Sequence, residues 1–184
     1  MTNRRARYTA AHIANYILRY FHVNQLEITH LKLQKLLYIA YGWNLVLNKE
    51  HPRLFDESIQ AWKLGPVIPS VYYYYKNKKE IGDEDYIFSY GDENFVESIP
   101  SKIPVIDKND DQTLKIVNAV IEKYKDVNAS DLVKRLHEEN SPWYKTYNKG
   151  GQARGINQPL DDYDIIERST PVIKEFFREK IKNQ

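Results

Sequence analysis

The sequence predicts a mostly α fold of the α+β class, in which a single helical domain surrounds a central buried helix and carries a small antiparallel β element. Three observations support this prediction. Apolar residues recur at helical spacing in several segments, the segment 29–48 is apolar on almost every side, and only two stretches have strand character. The chain has 184 residues, a length typical of one domain, so one domain is predicted over 1–184.

The central helix is predicted over residues 29–48, with Thr29 as its N-cap. Lys32 and Lys35 give its first turns a polar face, whereas the rest of the segment is apolar nearly all round. A helix of this kind usually lies in the middle of a domain. Gly42 interrupts the apolar run, and a glycine inside a helix indicates that another backbone approaches closely there.

The remaining helices are predicted from caps and apolar stripes. They cover 9–22, 70–77, 110–125, 131–139, 141–147 and a last segment from about 171. The predicted caps are Thr9, Ser130, Ser141 and Thr170, and the prolines expected at helix starts are Pro69, Pro142 and Pro171.

Two segments have strand character. Residues 59–64 predict a short strand that Gly65-Pro66 ends, because proline restricts the preceding residue and cannot donate to a ladder. The acidic, turn-rich segment 80–106 predicts a β-hairpin or a loop of variable structure. Residues 1–8 are expected to form a flexible basic arm.

Composition restricts the function. Lys and Arg number 27 and Asp and Glu number 25, so a net charge of +2 does not favour a nucleic-acid or membrane surface. The absence of cysteine excludes disulfides, thiolate nucleophiles and cysteine-based metal sites. No apolar run approaches the roughly 20 residues of a membrane span. We therefore expect a soluble protein in the cytoplasm.

A search for catalytic and metal-binding motifs is negative. The five histidines form no HxxxH or HExxH pair, and no phosphate-binding glycine loop or GxSxG motif is present. Asp107, Asn109 and Asp111 resemble the start of an EF-hand loop, but Gln112 and Asn118 stand where that loop needs glycine and glutamate. We predict no catalytic residue, no cofactor and no metal. An enzyme built from distant residues stays open as an alternative.

The densest aromatic stretch is AWKLGPVIPSVYYYYK, residues 61–76. Four consecutive helical residues spread over about 300° of the circumference, so the four tyrosines cannot all face one core. At least one ring is expected at the surface, where it either contacts a partner protein or is only solvated. Trp62 is expected to be a buried anchor beside a rigid corner. The candidate partner-binding residues are Tyr72, Tyr73, Tyr74, Tyr75 and Lys76.

Nucleic-acid binding is the alternative function. Aromatic rings beside lysines can stack on bases and contact phosphates. Acidic residues follow the lysines after the tyrosine run, and this favours a solvated helix end instead. The basic residues concerned are Arg4, Arg5, Arg7, Lys76, Lys78 and Lys79.

The segment 31–76 resembles the SocA-like antitoxin family, whose domain is also called Panacea. The shared pattern is K-L-Q-K-L-L-Y, then G-W, L-F and A-W-x-x-G-P-V-x-P before an aromatic-rich stretch, and S-P-W follows at 141–143. The motif residues with an expected structural role are Leu33, Lys35, Leu36, Tyr38, Trp43, Trp62, Gly65, Pro66, Val67, Pro142 and Trp143.

The resemblance implies a function that the residues alone do not. Members of this family occur in bacteria, phages and prophages and neutralise toxins encoded beside them. The member that gives the family its name also delivers its toxin to the ClpXP protease. The resemblance thus implies a cognate protein toxin as partner, and a ClpXP-type protease as a second one. Some relatives carry an additional DNA-binding domain, for which we expect no room in this chain.

Overall fold

The structure is a computed structural model that describes residues 5–78, 80–88, 102–149 and 157–182. These residues form helices and one two-stranded antiparallel sheet, so the predicted fold class is confirmed. The elements in chain order are α1 (Ala10–Val23), α2 (His30–Leu47), β1 (Gln60–Trp62), β2 (Gly65–Val67), α3 (Pro69–Tyr75), α4 (Asp111–Tyr124), α5 (Ala129–Leu136), α6 (Pro142–Tyr147) and α7 (Asp162–Lys182).

The helix α2 is the centre of the domain. It packs against α1, α4, α5, α7 and the hairpin, and most of its side chains are buried. Thr29 accepts a hydrogen bond from the Lys32 backbone N–H at 3.2 Å, which confirms the predicted cap. A Cβ atom on Gly42 would lie 2.6 Å from Ser169 Oγ and 3.0 Å from Ile165 Cγ2, so the glycine makes room for side chains of α7 and not for another backbone.

The antiparallel sheet is a hairpin with a two-residue turn at Lys63 and Leu64. The prediction that Gly65-Pro66 ends the strand is wrong, because both residues belong to β2, where Pro66 pairs with Ala61. A proline fits here because β2 pairs with β1 alone among the described strands, so its other edge needs no backbone N–H donor. Residues 157–160 run along the other side of β1, where the Ala61 N–H donates to the Gln158 carbonyl at 2.9 Å.

The segment 80–106 is described only at its two ends. Residues 86–88 are not in a strand, and residues 89–101 of the predicted hairpin lie outside the described part of the chain. Asn15 joins the two ends: its side-chain amide donates to the Ile87 carbonyl at 2.9 Å and to the Pro104 carbonyl at 3.1 Å. The buried α1 residue therefore holds the start and the finish of this segment together.

The last helix begins nine residues earlier than predicted, at Asp162 instead of 171, and Pro171 lies inside it. Proline removes one intrahelical hydrogen bond and usually marks a helix start. Here Ile165 on one side of the proline and Phe176 on the other are both buried, so packing against α2 maintains the helix across it. Tertiary packing thus overrides the local preference.

The start of α5 also differs from the prediction. The cap is Asn128, whose side chain accepts a hydrogen bond from the Asp131 backbone N–H at 2.9 Å, and not Ser130. Ser130 donates to the same side-chain oxygen instead. The predicted cap and start of α6, at Ser141 and Pro142, are confirmed. Among the described helices, none combines the length and the apolar character needed to cross a membrane.

Candidate partner-binding surface

Lys35 on α2 is the residue that places the hairpin. Its side chain is fully buried, and its ammonium donates to the Pro66 carbonyl at 2.9 Å. The prediction that Lys35 lies on a polar face is therefore wrong. A lysine is rarely buried without a charged partner, and here it satisfies a strand carbonyl that would otherwise be unpaired inside the domain.

The neighbouring polar residues of α2 bind other parts of the backbone. The Gln34 side-chain oxygen accepts a hydrogen bond from the Ile68 N–H at 2.8 Å, directly before α3 begins. The Lys32 ammonium donates to the Lys125 carbonyl at the C-terminus of α4 and lies 5.0 Å from the centre of the Phe21 ring. Buried polar side chains of α2 thus fix the position of the hairpin, α3 and α4.

Within the described ranges, no carboxylate offsets the charge of Lys35. Burial lowers the pKa of the Lys35 ammonium to about 7. His137 lies beside it, and burial together with the Lys35 charge lowers the pKa of that imidazole. His137 Nε2 has no hydrogen-bond partner among the described residues. A Cβ atom on Gly65 would lie 2.9 Å from Lys35 Nζ and 3.2 Å from His137 Nε2, so glycine is required between them.

The α6 residue Trp143 supports the hairpin from the opposite side. Its ring stacks on His137 with 3.6 Å between the ring centres and an interplanar angle of 1°. Its indole N–H donates to the Trp62 carbonyl at 2.7 Å. The S-P-W segment and the K-L-Q-K segment, more than a hundred residues apart in the sequence, therefore hold the same hairpin.

The four tyrosines of α3 divide into two pairs. Tyr75 is fully buried and follows Val71 by four residues on the same face of the helix, as helical geometry requires. Tyr74 is 41% exposed, and its hydroxyl donates to the Tyr86 carbonyl at 2.9 Å. The Tyr75 hydroxyl donates to the Asp85 carbonyl. These two residues anchor the segment 80–88, and the burial of Tyr75 leaves Tyr72, Tyr73 and Tyr74 as the candidate tyrosines with accessible surface. Their contact with a partner stays a prediction.

The other two tyrosines pack against Trp62: Tyr73 is exposed, whereas Tyr72 is half-buried and also lies 5.1 Å from the His30 ring. Tyr72 lies 4.7 Å from Trp62 between ring centres, and Tyr73 lies 6.1 Å from Trp62. Tyr73 is 58% exposed, and the Lys76 ammonium lies 5.8 Å from its ring centre. We call Trp62, Tyr72, Tyr73 and Lys76 the aromatic surface. Leu64, in the hairpin turn beside it, is 55% exposed.

Most residues of the predicted structural motif are buried, as expected. Trp62 is the exception: it is only half-buried, its ring contacts Tyr72 and Tyr73 of α3, and its indole N–H donates to the Gln60 side-chain oxygen at 3.0 Å. The buried motif residues are Leu33, Lys35, Leu36, Tyr38, Trp43, Gly65, Pro66, Val67, Pro142 and Trp143.

The basic residues of the nucleic-acid alternative are mostly paired with acids. Arg7 lies 3.3 Å from Asp110, and the Ala6 N–H donates to Asp56 at 3.1 Å, so residues 5–8 contact the domain. Lys78 pairs with Asp85. Arg4 and Lys79 lie outside the described residues. Of the basic side chains that the structure describes, Lys76 alone belongs to the aromatic surface.

The described ranges contain no group of three or more His, Asp or Glu side chains placed to bind a metal ion. The residues 107–111 that resemble an EF-hand start serve a helix instead. Asp110 is the N-cap of α4 and accepts hydrogen bonds from the Thr113 N–H at 3.1 Å and from the Tyr8 hydroxyl at 3.0 Å.

Sequence reasoning missed the roles of Gln34 and of buried Lys35. A signal was present, since both stand between leucines of an otherwise apolar helix. A polar residue at such a position is more often buried and hydrogen-bonded than exposed to solvent. The backbone groups that they bind follow 31 or more residues later, and no local pattern points to them.

Comparison with known proteins gives two matches. The family described as antitoxin SocA-like, Panacea domain, matches residues 33–144. Antitoxin SocA of Caulobacter vibrioides (strain NA1000 / CB15N) is 30% identical over 156 residues, which are 85% of this chain and 79% of that protein. No solved structure is significantly similar. The matched range contains the hairpin, α3 and the stacked pair His137 and Trp143.

Proposed function

Because the chain belongs to the SocA-like antitoxin family with a Panacea domain, as its 31–76 motif predicts, we propose that it neutralises a protein toxin by binding the toxin directly. In this proposal the chain is not an enzyme and acts in the cytoplasm. The toxin contacts the aromatic surface formed by Trp62, Tyr72, Tyr73 and Lys76. The observation that carries the proposal is the exposed ring of Tyr73, which packs with half-buried Tyr72 on half-buried Trp62.

The composition of the aromatic surface supports a protein partner. Tryptophan and tyrosine are enriched among residues that dominate binding energy, since they bury a large area and keep a polar tip. Leu64 adds an exposed apolar side chain, and Lys76 adds one positive charge at the edge. An apolar centre with a polar rim is the usual arrangement of a specific interface.

The way the aromatic surface is held also supports binding. Lys35, Gln34 and Trp143 fix the backbone on both sides of it, and Tyr74 and Tyr75 fix the rear of α3. A surface that is already rigid loses little conformational entropy when a partner binds. The buried motif residues therefore contribute to affinity without contacting the toxin.

Delivery of the bound toxin to a ClpXP-type protease is a further part of the proposal, and it rests on the family resemblance alone. Its test is the half-life of the toxin in cells with and without this chain and the protease. A half-life that the chain shortens only when the protease is present supports delivery. A half-life that the chain lengthens or leaves unchanged contradicts it.

The first experiment is co-expression with the adjacent open reading frame. We expect the neighbouring gene to stop growth alone, and we expect this chain to restore growth and to purify with the neighbour's product in a stable complex. Growth that is restored without a complex would contradict direct binding. A neighbour that is harmless alone would contradict the antitoxin function in this gene pair.

A further inference from the structure

A cavity of about 320 Å³ lies where α7 packs against α2, next to α4 and α5. No residue of the aromatic surface lines it, so it is a separate site. Its volume falls at the lower end of the roughly 300–1,000 Å³ that small-molecule sites occupy. Part of its wall is apolar, formed by Ile39, Trp43, Leu132, Leu136, Pro142 and Val172.

Two tyrosine hydroxyls that open to this cavity have no hydrogen-bond partner among the described residues. Tyr38 from α2 and Tyr124 from α4 are both buried and both line the cavity, and neither hydroxyl makes a hydrogen bond to another described residue. Neither hydroxyl oxygen is fully enclosed by protein, so both are open to the cavity and can bond to water or to a ligand there. Burial raises the pKa of both phenols, and Arg168 partly opposes that rise. Both hydroxyls are therefore protonated at neutral pH and can donate.

Positive charges outnumber negative charges around the cavity. Lys123, Arg135 and Arg168 line it together with Glu138 and Glu175. Glu138 is already engaged, because it accepts a hydrogen bond from Arg168. Among the described residues Arg135 forms no salt bridge, although its charge adds to the Lys134 hydrogen bond that lowers the pKa of Asp131. The Lys123 ammonium lies over the Phe176 ring at 5.3 Å. A guanidinium has five donors in a fixed fork, so one glutamate leaves most of those of Arg168 free.

We propose that this cavity binds a carboxylate carried on a small apolar group, with Arg135 and Arg168 supplying the charge and Tyr38 and Tyr124 donating hydrogen bonds. The apolar wall takes the rest of the ligand. Charge-assisted hydrogen bonds from arginine to a carboxylate are among the strongest polar contacts in proteins. The carboxylate belongs either to a free small acid or to a chain end or acidic side chain of a bound protein.

The test is an NMR titration of the isolated chain with N-acetyl-L-leucine, which has a carboxylate, and with N-acetyl-L-leucinamide, which has none. We expect saturable shifts of amide signals around the cavity with the acid and not with the amide. Tyr38→Phe removes one donor and no charge, and Arg135→Gln removes one charge. Each variant is expected to weaken binding, the arginine change by roughly tenfold. Arg178→Gln, an exposed position on α7 outside the cavity, is the control and should bind normally.

The titration uses the chain without any partner, so its result does not depend on whether the chain binds a toxin. No saturable shift, equal binding of the acid and the amide, or equal weakening by the Arg178 control would overturn the inference. If excess N-acetyl-L-leucine also dissociates a purified complex with a toxin, the carboxylate belongs to that partner. If the complex persists while the cavity signals shift, the carboxylate belongs to a free small acid.

Discussion

At the scale of single residues, the unusual feature is Lys35, a fully buried lysine whose hydrogen-bond acceptor is a backbone carbonyl. A well-packed apolar residue would avoid the cost of burying an amine. The amine instead reaches across to Pro66 and satisfies a strand carbonyl. Specific hydrogen bonds of this kind define one position for the hairpin, whereas apolar contacts alone would allow several.

Replacing Lys35 should change how stability depends on pH. The pKa of Lys35 is about 7 in the folded protein and near its ordinary value of 10.5 in the unfolded chain. Between these values the unfolded chain binds more protons, so the free energy of unfolding rises with pH, by at most about 1.4 kcal/mol per pH unit. We expect Lys35→Met to remove this rise between about pH 7.5 and about pH 9.5.

Urea unfolding at several pH values measures the effect, and Lys115→Met, at an exposed lysine on α4, is the control. The control should follow the wild-type pH dependence. Parallel curves for wild type and Lys35→Met would show that Lys35 is charged in the folded protein throughout this range.

Gly65 gives a second test at the residue scale. Its φ of +100° and the closeness of Lys35 Nζ both oppose a side chain. We expect Gly65→Ala to lower the free energy of unfolding by about 1–3 kcal/mol. Gly82→Ala is the matched control, because its new Cβ would only meet Asp85 Oδ2 at 3.4 Å, and it should change stability by less than about 0.5 kcal/mol. Equal effects of the two changes would contradict the described contact.

At the scale of elements, periodicity predicted the helices well, whereas caps and prolines predicted some helix starts and missed others. The caps Thr9, Thr29 and Ser141 and the helix starts at Pro69 and Pro142 are correct. The predicted caps Ser130 and Thr170 are wrong, because α5 is capped by Asn128 and α7 begins before Thr170. Pro66 and Pro171 misled the prediction because their positions depend on distant packing. The candidate site shows the same limit: an exposed tyrosine such as Tyr73 follows from helical geometry, whereas the Pro66 carbonyl that Lys35 binds could not be found from local sequence.

Removing Pro171 should stabilise α7. A proline inside a helix leaves the carbonyl four residues earlier without its usual donor and crowds it. We expect Pro171→Ala to raise the free energy of unfolding by about 1–3 kcal/mol, measured by chemical denaturation. Pro69→Ala is the control, since a proline at the first position of α3 removes no bond and its replacement should not stabilise. A loss of stability in Pro171→Ala would mean that the packing of α7 requires the proline.

At the scale of the whole molecule, distant segments meet to hold one small surface. The central helix α2 binds the hairpin and the start of α3, α6 binds the hairpin from outside, and residues 80–88 are tied to the rear of α3. The sequence alone indicated this region through its motif. It did not indicate the cavity beside α7, because Tyr38, Tyr124, Arg135 and Arg168 come from four different helices.

Toxin binding through the aromatic surface is tested most directly by calorimetry. The measurement compares the toxin affinity of Tyr73→Ala with that of Tyr163→Ala. Tyr163 on α7 is 72% exposed and lies outside the aromatic surface, so it matches Tyr73 in type and exposure. We predict that Tyr73→Ala weakens binding by roughly tenfold or more, while both variants keep the wild-type stability and Tyr163→Ala keeps the wild-type affinity. Unchanged affinity in Tyr73→Ala, or an equal loss in both variants, would contradict toxin binding through the aromatic surface.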